Sequence, residues 1–465
     1  MGARRSRGDI PVGALAADRI ATTATLQFLG GAGTVTGAMY RLHTRAGDIL
    51  LDSGLFQGLK PLRLRNWTPR VPDGAVIRAV LLSHAHVDHV GYLPLLVRQG
   101  FCGPIYCTAA TADLVRVLLP DCAHLHEEEA ERANRRGYSK HRPALPLYTL
   151  QDAEAVGPLL QTRPYEAAFP VLPDLTGRFR PAGHILGSAI VELDIAQRRL
   201  VYSGDLGRGG RAMGAAPAPV TSADVLLLES TYGDRRHPEG GKEELARVVT
   251  DAARRGGALI IPAFAVDRTQ EIVSLLDQLE AERRIPQLPV YLDSPLAIEA
   301  TEIYVRHGGL RVPERYRFAR NPEESKALND LRGPVIIISA SGMATGGRVL
   351  HHLAMRLPDE RTTVLLVGFQ SAGTRGRLLA DGAREVKMLG RLVPVRARIE
   401  RIDALSAHAD RNEILRWLAA FARAPVMTYL VHGEPAAAQA LATAIVETLG
   451  WRVRVATDGA TEVLA

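Results

Sequence analysis

The run SHAHVDHVG at 83–91 constrains this chain more than any other feature. It places His84, His86, Asp88 and His89, four metal-ligating side chains within six residues, at the end of the apolar run AVLLSH. In extended chain, residues two apart point the same way. His84 and His86 can therefore grip one ion while Asp88 and His89, turned into a following helix, grip a second. Imidazole mixed with carboxylate suits zinc first. A solvated polar loop is the alternative reading, but such a loop rarely follows a buried strand and spends three histidines.

Two metals need about seven ligands and a shared solvent molecule, so the remaining ligands have to come from elsewhere. His184 in PAGHILGS, Asp205 in VYSGDLG and His408 in LSAHAD all stand among small residues that let an ion come close. Each alone reads as a structural polar residue; beside the 84–89 run they gain weight together.

The surrounding pattern is α/β. From Leu26 onward short β-rich runs (LQFLG, DILLD, RLVYSGD, DVLLLES) end in Ser, Asp, His or Gly, which is how a sheet delivers polar groups into a site. Between Lys242 and Ala465 helical segments separate ALIIPAF, PVYLDS, PVIIISA and TVLLVGF, the pattern of βαβ units on a mostly parallel sheet. At 465 residues two to three compact units are expected. GGAGTVTG at 30–37 follows a strand, but its glycines at Gly31, Gly33 and Gly37 miss the GxGxxG spacing by one residue, so no dinucleotide site is assigned.

With 46% hydrophobic and 23% charged residues the composition excludes disordered, collagenous and coiled-coil classes. No apolar run reaches membrane-spanning length, so no membrane partner is expected. Three cysteines, Cys102, Cys107 and Cys122, argue against a disulfide framework and for a reducing, cytoplasmic compartment. The net charge of +7 permits a polyanionic substrate. Only five lysines accompany the arginines, which reads either as phosphate recognition or as GC-rich codon usage. Residues 1–24 carry Arg4, Arg5 and Arg7 before a broken apolar patch and fit MGxxxS; a frayed tail is expected there rather than a signal peptide or lipid anchor.

HxHxDH, a distant His184, SGD ending in Asp205 and LLDSG with Asp52 together resemble the metallo-β-lactamase fold. The later landmarks LLLESTYGDRRH, IPAFAVDRTQE, VYLDSPLA, SGMATGGRVLHHL, VGFQSAGTRGR, LSAHAD and LVHGE resemble, in order, those of the β-CASP nucleases and especially their RNA-processing members. The resemblance implies an αββα sandwich with an inserted α/β domain: after the expected disordered tail 1–24, a first domain over 25–231, the insert over 232–372 and a return over 373–465 carrying His408. It further implies two Zn2+ per chain, one held by His84, His86 and His184, the other by Asp88, His89 and His408, with Asp205 bridging and Asp52 orienting a ligand. Glu229 matches the family's first β-CASP acidic position. The implied reaction is hydrolysis of RNA phosphodiester bonds by a metal-bridging hydroxide, positioned by Asp88 and Glu229, leaving a 3′-hydroxyl and a 5′-phosphate.

In the insert, Arg268 offers a bidentate fork for phosphate. Ser341, Gly342, Thr345, Gly346 and Gly347 read as an amide nest before a helix, or as a tight strand-to-helix turn. His432 in LVHGE reads as a contact to a leaving or flanking phosphate, or as a buried structural histidine. The family's histidine shortly after a GT pair has no counterpart around Gly373–Leu378, which leaves the proton donor to Arg377, His351, His352 or solvent. Aromatic residues make up only 5%, so few stacking platforms and weak sequence preference are expected for a single-stranded RNA partner. Homodimers are common in such nucleases, but no sequence feature shows one here. A DNA-directed nuclease and a catalytically silent RNA-binding subunit are the competing readings. A thioester or lactam substrate would need no insert of this length.

Overall fold

The short apolar runs pair into two seven-stranded sheets that face each other. The computed structural model describes residues 24–464 apart from 196, 369 and 372; the expectations for the 1–24 tail therefore fall, but for Ala24, outside the described residues. The first sheet runs in the order Thr461–Val463, Thr25–Gly30, Met39–Thr44, Gly47–Leu51, Ile77–Leu81, Ile105–Cys107, Leu160–Thr162. The second runs Val453–Val455, Met427–Val431, Val225–Glu229, Arg198–Tyr202, Ala189–Ile195, Leu175–Pro181, Ala168–Leu172.

Alternation of side chains along each strand explains the layering. Phe28, Tyr40, Leu42, Ile49 and Leu81 of the first sheet meet Val191, Leu193, Tyr202 and Leu227 of the second in one buried cluster. The opposite face of the second sheet, with Ile190, Val201, Leu226 and Leu228, is covered by helices Arg411–Leu418 and Pro435–Leu449 through Ile414, Leu418, Leu441 and Ile445. The outer face of the first sheet packs Leu50 and Val80 against Leu95, Leu114 and Leu118 of helices Leu93–Arg98 and Ala109–Arg136. This is the expected αββα sandwich.

Between strands Val225–Glu229 and Met427–Val431, which lie side by side in parallel, the chain leaves the sandwich and builds a third sheet. Its order is Arg317–Phe318, Val290–Leu292, Val335–Ser339, Ala258–Pro262, Thr363–Val367, Arg398–Ile402, and every pairing in it is parallel. All five positions of Ala258–Pro262 and of Val335–Ser339 are buried, as strands covered by helices on both faces require. Arg398–Ile402 pairs with Thr363–Val367, so the hydrogen-bonded layer of the third sheet runs on to Ile402, past residue 372 where the sequence reading ends the insert. Among the described residues no helix is long and apolar enough to cross a membrane.

Candidate metal centre

Strand Ile77–Leu81 is followed by Leu82 and Ser83, and the chain then turns through His84 and His86 into the short helix Val87–Val90, which carries Asp88 and His89. This turn is clamped from one side: Ser53 N donates to His89 O at 2.7 Å and Leu55 N to Val87 O at 3.0 Å. Position 54 must be glycine, since a Cβ there would sit 1.6 Å from the carbonyl oxygen of Asp88.

The ring nitrogens converge. His84 Nε2 lies 3.0 Å from His86 Nδ1, and His184 Nε2 lies 3.2 Å from the same atom. Asp205, at the end of strand Arg198–Tyr202, points Oδ2 to within 3.5 Å of His84 Nε2, 3.4 Å of His89 Nε2 and 3.7 Å of His184 Nε2. Its Oδ1 lies 3.4 Å from His432 Nδ1. His432 Nε2 in turn is 3.3 Å from His89 Nε2 and 3.5 Å from Asp88 Oδ2. Potential ligand atoms thus fall into three groups: His84, His86, His184 and Asp205; Asp88, His89 and His432; and Asp205, Glu229 and His408.

His408 is therefore not where the sequence reading put it. Its Nδ1 faces both Glu229 oxygens, at 3.2 and 3.3 Å, and it lies outside the Asp88 and His89 group. The group of Asp88 and His89 is completed instead by His432, for which the sequence offers a phosphate contact or a buried structural role. The cause is local. His432 ends strand Met427–Val431 with a left-handed φ of 48°, its N–H donating to Gly31 O at 2.6 Å, and this bend turns the ring into the centre. A signal for it was present: His432 follows strand Met427–Val431 directly, as Asp52 follows Gly47–Leu51, and His84 and Asp205 stand within three residues of their strands, whereas His408 sits in a loop bridged to Gly207.

Burial and neighbours set the charge states. Desolvation, then the adjacent His89, holds His84 well below the usual imidazole range; burial and His408 do the same to His184, leaving neutral lone pairs. Burial pushes Asp205 up, but His432, His89 and His84 together hold its carboxyl well below the ordinary value. His408 is lowered by burial and raised by Glu229, Asp205 and Asp88 to about 9.

Asp52 contacts the cluster from behind. Its Oδ2 accepts from Ser83 Oγ at 2.6 Å and Tyr202 OH at 2.7 Å and meets His89 Nδ1 at 2.7 Å, while Oδ1 accepts from Ser83 N at 2.7 Å. His89 is thereby fixed with Nε2 toward the centre. Ser83 Oγ lies 3.0 Å from His84 Nδ1 and does the same there.

The insert residues fare differently. Arg268 is buried and bound to Glu271 in its own helix, so its guanidinium is spent inside the protein rather than offered to a phosphate; the i, i+3 spacing of DRTQE carried that signal. The insert meets the sandwich through Arg211, missed in the sequence: it donates to His184 O at 2.5 Å, Asp267 Oδ2 at 2.6 Å and Glu271 Oε1 at 3.1 Å. Ser341 Oγ accepts from Thr345 N at 3.0 Å, closing the tight turn that leads through Gly346 and Gly347 to helix Val349–Arg356. Of the alternative proton donors, His352 is committed to Asp293 at 2.6 Å and Arg377 to Asp381 at 2.8 Å.

Comparison with known proteins agrees with this fold. Residues 47–286 match the Beta-lactamase superfamily domain, 269–379 the Beta-Casp domain, and 392–456 the Zn-dependent metallo-hydrolase RNA specificity domain. The chain is 37% identical over 424 residues to Ribonuclease TTHA0252 of Thermus thermophilus, covering 87% of this chain and 92% of the relative. It is 30% identical to an RNase J-like protein of Methanocaldococcus jannaschii, covering 91% and 96%, and 32% identical to the transcription termination factor FttA of Pyrococcus abyssi, covering 82% and 61%. A crystal structure of a protein of unknown function from Enterococcus faecalis shares the fold, with a TM-score of 0.56 at 14% identity over 95% of this chain and 100% of that one.

Proposed function

The chain belongs to the β-CASP ribonuclease family of the β-lactamase superfamily, and from that premise we propose that it hydrolyses phosphodiester bonds of single-stranded RNA with two zinc ions per chain. The observation that carries this reading is a pair of buried clusters joined by one carboxylate. His84, His86, His184 and Asp205 would hold one ion, and Asp88, His89, His432 and Asp205 the other. The donor set fits: the His84 and His184 imidazoles, held neutral by burial, converge on a carboxylate whose buried Oδ1 has no hydrogen-bond partner among the described residues. Zinc bound there supplies Lewis acidity toward a phosphoryl oxygen and lowers the pKa of water toward neutrality.

The remaining work falls to the protein. Asp52 and Ser83 keep His89 and His84 in the tautomer that presents Nε2 inward. His408, outside both clusters, takes the role of proton donor. Its Nδ1 is held by Glu229, whose Oε1 also accepts from Leu206 N at 2.5 Å, so Nε2 lies on the far side of a ring that is one fifth exposed. From there it delivers a proton to the departing 3′-oxygen, leaving a 3′-hydroxyl and a 5′-phosphate, and Glu229 stabilises the charged ring between turnovers. The Leu378 region, where a histidine is missing, is then not required for proton transfer. Preference for RNA over DNA is supported by the names of the relatives and by the RNA specificity domain match, which contains both His408 and His432. Three free cysteines fit work in the cytoplasm.

The test is a zinc analysis followed by incubation with single-stranded RNA labelled at each end in turn, with matching DNA and an Asp205→Ala control. Internal RNA fragments absent from the control are expected for endonuclease action, and mononucleotides released from the 5′ end for exonuclease action. No cleavage of RNA by protein holding two zinc ions would overturn the reading.

A further inference from the structure

We propose that Phe264 is a stacking platform for one base of the RNA strand at the mouth of the metal centre; the inference rests on the RNA reading above. Phe264 is 43% exposed although it follows the wholly buried strand Ala258–Pro262. A large ring left in water at the end of a core strand needs a reason, and here its position supplies one. Three residues on, Asp267 is bound by Arg211, which also holds the carbonyl of His184. The ring thus stands on the part of the insert that abuts the metal-ligand loop.

The ring is also preorganised. Its carbonyl accepts from Thr269 N at 3.2 Å and Thr269 Oγ1 at 2.8 Å, Ala265 O accepts from Gln270 Nε2 at 3.0 Å, and Ala263 N donates to Ser339 O at 3.1 Å. Behind it lies Gly342, where a Cβ would come within 3.0 Å of Phe264 N and within 3.1 and 3.2 Å of two ring carbons. Gly342, read in the sequence as part of a phosphate nest, therefore provides the flat backing that sets the ring. Backed by Gly342 on one side and with 43% of its surface in water, the ring offers a face to a ligand. Rigid aromatic faces of this kind bind single-stranded nucleic acid with little regard to base identity, because every base has a π-face.

The test is a double-mutant cycle read by equilibrium binding of a labelled short RNA in an Asp205→Asn background, so that it does not depend on turnover. Phe264→Ala should weaken binding about tenfold, the size of one base–aromatic stack. A scan of single abasic positions should find one whose loss weakens the Phe264 protein equally but leaves the Phe264→Ala protein unaffected. Phe264→Trp should restore affinity and Phe264→Leu, which keeps apolar bulk without a π-face, should not. Rescue by leucine, or equal sensitivity of both proteins to every abasic position, would overturn the platform. A shift in oligomeric state on substitution, with RNA affinity unchanged, would assign the ring to contact between copies and likewise overturn it. Cleavage assays of the parent protein decide the RNA reading separately.

Discussion

Two buried aspartates at strand ends, Asp205 in the sandwich and Asp293 in the insert, sit beside histidines in opposite ways. Asp293 is saturated: Oδ1 accepts from Arg348 at 2.8 Å, and Oδ2 meets His352 Nε2 and Ser325 Oγ, each at 2.6 Å. Asp205 faces ring nitrogens at 3.4 Å and beyond, and among the described residues its Oδ1 has no hydrogen-bond partner. Short contacts and full pairing mark a structural knot, which a protein builds to satisfy a buried charge. Longer, converging and underpaired contacts mark a space shaped for something else. The same residue types at the same kind of position thus separate into staple and site by how completely their lone pairs are used.

Substitutions should push the two apart. Asp205→Ala should lower RNA cleavage at least about a thousandfold, more than about 4 kcal/mol of transition-state stabilisation, while a denaturation curve shows a folded protein; retained activity would erase the distinction. Asp293→Ala should do the reverse. It should cost about 3 kcal/mol of stability by stranding Arg348 and His352, with zinc content unchanged in the folded fraction. That cost should also depend on pH. Burial raises the Asp293 carboxyl, but hydrogen bonds from His352, Ser325 and Arg348 hold it below its ordinary value. A depressed folded pKa contributes stability that is complete above the unfolded pKa and lost as pH falls through the folded one, so parent and variant should converge in acid. Urea titrations at neutral and acid pH measure this.

His408→Ala should lower kcat about a hundredfold, as loss of a proton donor does, and leave two zinc ions bound, whereas His432→Ala should release one by elemental analysis. A zinc loss at His408 equal to that at His432 would restore the ligand set read from sequence. The smallest effect is expected at Asp52→Asn, which keeps the shape but weakens the hold on His89: about tenfold in zinc affinity, read by competition with a chelator.

Much of the centre was legible because its ligands crowd one turn. His84, His86, Asp88 and His89 need no tertiary information to be grouped, and Asp52 and Asp205 follow the strands Gly47–Leu51 and Arg198–Tyr202, whereas His184 follows the mixed strand Leu175–Pro181. The exchange of His408 for His432 was not resolved by the landmarks, since both rings approach from the same wall and only backbone direction decides which crosses it. The strand-end rule applied evenly would have chosen His432. Arg268 shows the converse limit: a fork in a motif says nothing of whether a carboxylate one helical turn away has already claimed it. The insert's far edge was hidden because Arg398–Ile402 follows a hairpin, Glu385–Met388 with Arg391–Pro394, and rejoins the parallel sheet only through space.

The pairing of His89 with His432 spans 343 residues of chain. At roughly 5–20 residues per second of synthesis, a nascent chain carries the SHAHVDHVG turn for about 20 to 70 s before the last ligand emerges from the ribosome. Until then Asp88 and His89 have no third partner, and the strand that will present His432 has not yet joined its sheet. The centre proposed to cut RNA is thereby incomplete while most of the message encoding it is still being read.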